Sequence, residues 1–265
     1  MDFAASWKAL QESAPFLAHF RPDIVWEYRQ LFVEGALMTI EITIVAVIFG
    51  TLIGLLGGMS RLAETRHGPW RLPLRWGVRM PATAYVTFFR GTPLFVQIML
   101  VHFALMPLLV HPTDGILISG DTARHLRQEY GAFMSGLVAL TLNAGAYITE
   151  IFRAGIQSIH RGQTEAARSL GMNYWQTMRF VIVPQAFRRM LPPLGNEAIM
   201  LLKDSSLVSA IGLAEMAYAA RTVAGAYSRY WEPYLAISFC YLAMTMAMAA
   251  LVSRLEKRFQ ASGGV

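Results

Sequence analysis

The chain has 265 residues, 55% of them hydrophobic and 15% charged, with a mean hydropathy of +0.40, values that favour a membrane protein over a soluble domain. Its formal charge of +6 does not mark a nucleic-acid partner, because the arginines lie in loops between apolar runs and no basic face with interleaved aromatics occurs. The single cysteine, Cys240, sits in an apolar run, so an intrachain disulfide is excluded and a metal cluster is not expected.

Residues 1–34 read as an extramembrane or interfacial lead-in, with Pro15 and Pro22 limiting helix length and Trp7 and Trp26 suited to a membrane interface. Asp2, Glu12 and the lack of an early apolar run do not make a cleavable signal peptide, so the first spanning helix is expected to direct insertion. That helix is Gly35 to Gly57, with one charge, Glu41, and enough length to cross about 30 Å of hydrocarbon. Glycines 50, 54, 57 and 58 permit close helix contact. Glu41 has two readings, a functional carboxylate or one turned toward other helices or an interface.

Arg61 to Met80 carries five arginines against one acid, Glu64, which makes it cytoplasmic under the positive-inside rule. A second span follows at Gly91 to Val110, without formal charge. His111 to Tyr130 is hydrophilic and suits the outer side. The third span, Gly131 to Thr149, puts Asn143, Ala146, Tyr147 and Glu150 on one helical face. Lipid cannot satisfy such a stripe, so it must face other helices or a wet cavity.

Arg153 to Arg189 has six arginines and one acid, Glu165, and is cytoplasmic by the same rule. Within it, Thr164 offers an N-cap hydroxyl, Glu165 suits the helix dipole and Gly171 can close the helix at C′. A helix of about two turns is marginal in water and needs a groove to hold it, which Ala166, Ala167 and Leu170 would meet with a small face. A second helical run, Tyr174 to Val183, is expected to stop at Pro184.

The fourth span, Met190 to Leu213, contains Glu197, Lys203 and Asp204. At 100° per residue these fall in one arc with Asn196 and Met200. Pro192, Pro193 and Gly195 are expected to break or loosen the helix beside that arc. Each buried charge costs about 2.5–3.5 kcal/mol on insertion scales, so three in one span need a reason. Lys203 can pair with Asp204 or Glu197. Alternatively the face is a path for a zwitterion, with Lys203 for its carboxylate and Glu197 or Asp204 for its ammonium. The fifth span, Pro233 to Val252, follows an outer connection, Ala214 to Glu232. Basic residues number fourteen in the inner segments against seven in the outer ones, which sets an all-α bundle of about five helices with the N-terminus outside and the C-terminus cytoplasmic.

The spacing E-A-A, three residues, G, then a proline reached by Glu165, Ala166, Ala167, Gly171 and Pro184, resembles the EAA loop of ATP-binding-cassette importer permeases. Val181 and Val183 replace the usual Ile and Leu. The strings FFRGTPL around Arg90, LNAGAYITEIFRAGI from Leu142 and KDSSL from Lys203 resemble segments of polar amino acid permeases of the histidine, glutamine and arginine type. The resemblance implies a type I ABC importer permease in a bacterial cytoplasmic membrane. Its parts would be a periplasmic or interfacial segment 1–34, a transmembrane domain 35–253 with a coupling loop 153–189, and a cytoplasmic tail 254–265. It implies partners: a second permease subunit, the same or a sister chain, two ATPase subunits and an extracytoplasmic solute-binding protein. The path residues would be Glu197, Lys203, Asp204, Asn143, Met200 and Arg90, although Arg90 also reads as snorkelling to the interface. Glu165, Ala166, Ala167, Leu170 and Gly171 would seat on the ATPase. None of Lys8, Lys203 and Lys257 follows a glycine, so no Walker A loop is present, and ATP and Mg would be bound by the partner. No catalytic or metal-spaced set emerges among the six histidines. An ion-coupled carrier or channel, using the intramembrane charges as its path, is the alternative.

Overall fold

The computed structural model describes residues 20–62 and 71–261. The expectations on Trp7, on Glu64 and Arg66 of the arginine-rich loop, and on the last four residues lie outside the described residues. A short α1 (Pro22–Glu27) leads into α2 (Arg29–Leu62). After a turn at Arg71–Leu74 the chain forms α3 (Met80–Gly91), α4 (Leu94–Leu100), α5 (Met106–Leu109) and the long α6 (Gly120–Gln157). Then come α7 (Arg161–Ser169), α8 (Tyr174–Thr177), α9 (Val183–Asp204), α10 (Met216–Tyr227) and α11 (Trp231–Ala261).

Arg29–Leu62, Gly120–Gln157 and Trp231–Phe259 are long and apolar enough to cross a membrane. Leu72–Gly91 and Leu94–Leu109 pass the same test only as a pair, bent by 110°, and count as a fourth span when taken as one bent segment. α9, which carries Glu197, Lys203 and Asp204, is not among the helices apolar enough to meet that test, so the span read from the sequence over Met190 to Leu213 is not one of them. The helix lies antiparallel to α6, where Gly155 meets Met190, and to α11, where Phe187 and Phe259 pack edge to face at 5.6 Å.

The centre of the bundle is the pair α2 and α6, which run parallel. Backbone glycines make the contact: a β-carbon at Gly50 would come 3.1 Å from that of Ala144, and one at Gly58 would come 2.8 Å from that of Phe152. Gly54 lies against Ile148 and Gly57 against Thr149, so small residues let the helices approach where lipid supplies no hydrophobic drive. Gly54→Val is expected to cost about 1–3 kcal/mol through overpacking, read as a lower unfolding temperature in detergent. Gly77→Ala, at a glycine with nothing within 4 Å, should leave that temperature unchanged.

Several boundaries differ from the sequence reading. The first span begins at Arg29 and the third extends from Gly120 to Gln157, because hydropathy marks lipid depth while the hydrogen-bond ladder runs on into the interface. The second span, expected over Gly91 to Val110, begins at a break at Thr92-Pro93, where the backbone turns extended, and a helix over Met80–Gly91 precedes it. The fourth span ends as an α-helix at Asp204, continues as a 3₁₀ turn over Ser205–Ile211 and reverses at Gly212, whose φ of +88° suits a residue without a side chain.

The prolines also behave otherwise. Pro184 does not stop its helix: a π-turn, Met178–Ile182, precedes α9 and the chain passes through. The same order recurs at Arg75–Arg79 before Pro81 and at Val101–Leu105 before Pro107. Proline removes one backbone donor and crowds the carbonyl four residues back, and a wider turn just ahead displaces that carbonyl. Pro192 and Pro193 lie within α9 without breaking it.

Candidate functional site

The bent span engages the polar stripe of α6 at Asn143 and Tyr147. At its head Asn143 Nδ2 donates to the Gln97 Oε1 (2.9 Å) and to the Phe89 carbonyl (3.4 Å). Gln97, buried just past the bend, donates through Nε2 to Phe89 O (2.8 Å), Thr92 O (3.0 Å) and Thr92 Oγ1 (2.9 Å). A helix broken at membrane depth frees carbonyls that lipid cannot satisfy, and these two amides satisfy them. Asn143, expected on the solute path, here holds the elbow through these two bonds.

One turn along α6, the Arg90 guanidinium lies over the Tyr147 ring, 5.1 Å from its centroid, a cation–π contact. Arg90 also lies within electrostatic reach of Glu197 on α9. A further turn along, Glu150 takes Arg153 (2.7 Å) and Arg61 at once, tying the end of α2 to that of α6.

On α9 the five-residue arc divides. Glu197 is buried at 8% exposure, Asp204 is half-buried, and Asn196, Met200 and Lys203 are exposed. No ion pair within 4 Å joins Lys203 to Glu197 or Asp204 among the described residues, while Lys203 lies within electrostatic reach of Asp204. Glu41 is exposed on α2 rather than turned to another helix of the chain.

At the end of the bundle where α2, α6 and α11 finish, α7 forms the expected short helix, with a different cap. His160 Nδ1 accepts from the Gly162 N–H (3.1 Å), and Thr164 lies inside the helix. Gly171 closes it at φ +80°. The Gly171 N–H reaches Arg168 O (2.9 Å) and the Met172 N–H reaches Ala167 O (3.1 Å), the paired bonds of a Schellman motif. Asn173 and Gln176 then start α8 with reciprocal side-chain to backbone bonds. Arg189 Nη1 donates to Ser158 O (2.6 Å) and fastens the loop to the root of α9.

Ala167 is only 4% exposed and faces the bundle, so it is not part of an outward face. Glu165, Ala166 and Gly171 are exposed, Leu170 is 83% exposed, and beyond them stand Tyr174 and Trp175, the latter 78% exposed. Exposed aromatics of this size beside a leucine mark an interaction surface. Trp175 falls in the helical run read from Tyr174 to Val183, and its place after a capped turn was the available signal.

Residues 72–261 match the family described as "Binding-protein-dependent transport system inner membrane component". The chain belongs to this family. The permease is 36% identical over 236 residues to the glutamine transport system permease protein GlnP of Escherichia coli (strain K12), with 89% of this chain and 96% of that one covered. It is 34% identical over 240 residues to the probable amino-acid ABC transporter permease protein YckA of Bacillus subtilis (strain 168), covering 91% and 94%. A chain in a crystal structure of an amino acid ABC transporter with histidines is similar at a TM-score of 0.73 and 38% identity, over 88% of the permease and 96% of that chain. A chain of the MetNI methionine ABC transporter, inward facing, shares the fold at a TM-score of 0.67 and 20% identity, over 87% and 97%. The permease is therefore a multi-pass translocation subunit of a binding-protein-dependent system rather than a catalyst.

The permease also has an anchor that the sequence reading passed over. Glu215, 0% exposed, caps α10 by accepting from the Tyr218 N–H (2.8 Å) and takes the Tyr241 hydroxyl of α11 (2.8 Å) and Thr39 of α2 (3.4 Å). Thr39 and Glu215 are far apart in sequence, and no local pattern links them.

Proposed function

We propose that the chain is the membrane subunit of an ATP-driven importer in the bacterial inner membrane and forms the path for a polar amino acid handed over by a solute-binding protein. The observation that carries the reading is the outer face of α9, where Asn196, Met200 and Lys203 stand exposed beside the buried Glu197. Lipid would make exposed Lys203 cost about 2.5–3.5 kcal/mol on insertion scales. A second permease subunit, the same chain or a sister, closes this face and leaves a polar path between the two. Along it Lys203 and Arg90 offer donors for a carboxylate, and Glu197 and Asp204 offer acceptors for an ammonium. The names of the relatives GlnP and YckA support an amino acid as cargo.

The α7 end, with its arginines, lies in the cytoplasm by the positive-inside rule, where α7 seats on an ATPase that binds ATP and Mg. The test is reconstitution in proteoliposomes with the partner ATPase and binding protein. L-glutamine uptake should require ATP, and hydrolysis should rise with the loaded binding protein. Uptake driven by an ion gradient without ATP would overturn the reading in favour of a carrier.

A further inference from the structure

At the end of the bundle opposite α7, a cavity of about 160 Å³ opens between the π-turn Val101–Leu105 and the first half of α6. His102, Met106, Arg127, Met134 and Ser135 line it. That volume is the share of roughly five water molecules at ~30 Å³ each. Arg127 precedes the apolar run that begins at Gly131, so the cavity lies where the span meets the aqueous boundary.

Two side chains give the cavity its chemistry. The Ser135 hydroxyl donates to the Gly131 carbonyl (2.7 Å). His102 Nδ1, 2.9 Å from the same hydroxyl oxygen, must then be the donor of that contact. The proton is held on Nδ1 and the neutral ring keeps its lone pair on Nε2. Arg127 makes no hydrogen bond or ion pair among the described residues, whereas Arg124, one turn earlier, pairs with Asp121 at 3.1 Å. An unpaired guanidinium thus stands beside a histidine acceptor, with methionine walls between helices. The histidine sits on a π-turn, a feature often found at functional sites.

We infer that this cavity binds a zwitterion, its oxyanion on Arg127 and its primary ammonium on His102. Two sources share that chemistry: a free amino acid at the mouth of the permease, which rests on the function proposed above, and the phosphoethanolamine headgroup of a lipid.

The intact complex with its ATPase, in nanodiscs of phosphatidylglycerol alone, is treated with diethyl pyrocarbonate, which modifies neutral imidazole. Labelling of His102 is read by peptide mass spectrometry against the exposed His125 on α6. L-glutamine at about ten times its Kd should slow His102 labelling about tenfold, and Arg127→Gln, an exposed position, should abolish the protection. Protection by added phosphatidylethanolamine without glutamine, again lost in Arg127→Gln, supports the site and assigns it to the headgroup. Protection by neither, or protection that survives Arg127→Gln, overturns the inference. Labelling does not need transport, so a complex that imports nothing still gives a readable answer.

Discussion

Leu170→Asp is expected to detach the permease from its ATPase while leaving the membrane bundle intact. The side chain is 83% exposed at the C-cap of α7, beside the exposed Tyr174 and Trp175, so its removal touches no internal packing. Burying a leucine is worth about 1.5–3 kcal/mol, and an unpaired carboxylate in the same groove adds a desolvation cost. A weakening of at least ~100-fold follows from about 2.8 kcal/mol. Trp175→Ala should cost a further share of the order expected for an aromatic anchor, about 2 kcal/mol. Both are measured by copurification with the ATPase and by binding-protein-stimulated hydrolysis, with the unfolding temperature of the isolated permease as the control. Normal hydrolysis in Leu170→Asp would remove α7 from the coupling path.

Gln97→Leu should be the most damaging polar substitution in the bent span. It takes away the amide that serves the Phe89 and Thr92 carbonyls and Thr92 Oγ1, and removes the nearer of the two acceptors of the Asn143 amide, which keeps the Phe89 carbonyl at 3.4 Å. Thr92 Oγ1 keeps the Phe88 carbonyl and Phe89 keeps Asn143, so the Thr92 carbonyl is the group that loses its side-chain partner, and a buried group left unsatisfied costs about 1–3 kcal/mol. The elbow places Arg90 over Tyr147, so transport should fall together with the unfolding temperature. The discriminating measurement is a double-mutant cycle with Asn143→Leu. Because the two amides share one network, the double variant should lose less than the sum of the singles, by about 0.5–3 kcal/mol. Strict additivity would mean that Asn143 acts elsewhere, for instance on the solute.

The sequence made the spans, the polar arc of α9 and the capped turn at Gly171 legible, because lipid and charge impose long uninterrupted patterns and a positive φ favours glycine. What it hid depends on partners distant in the chain. The uncharged run from Gly91 to Val110 reads as a complete span, and Gln97, which supports the bend at its start, as a single polar residue within it. The contacts of Asn143 with Gln97 and Phe89 are likewise not readable from its place in the stripe. Ala167 and Ala166 are equivalent by type, and only packing on the bundle separates the inward one from the outward one. Pro184 misled for a different reason: a π-turn ahead of it removes the clash that ends a regular helix.

The parallel contact of α2 with α6 also sets a schedule for biosynthesis. Gly50 meets Ala144 and Gly58 meets Phe152, residues separated by roughly 90 positions of chain that must be made in between. At about 5–20 residues per second, α2 waits roughly 5–20 s before its partner leaves the ribosome. During that interval its glycine seam is open to whatever the membrane offers, and the bent span must cross back before the seam can close. The nascent chain is therefore most vulnerable to wrong helix partners after α2 enters the bilayer and before the second half of α6 arrives.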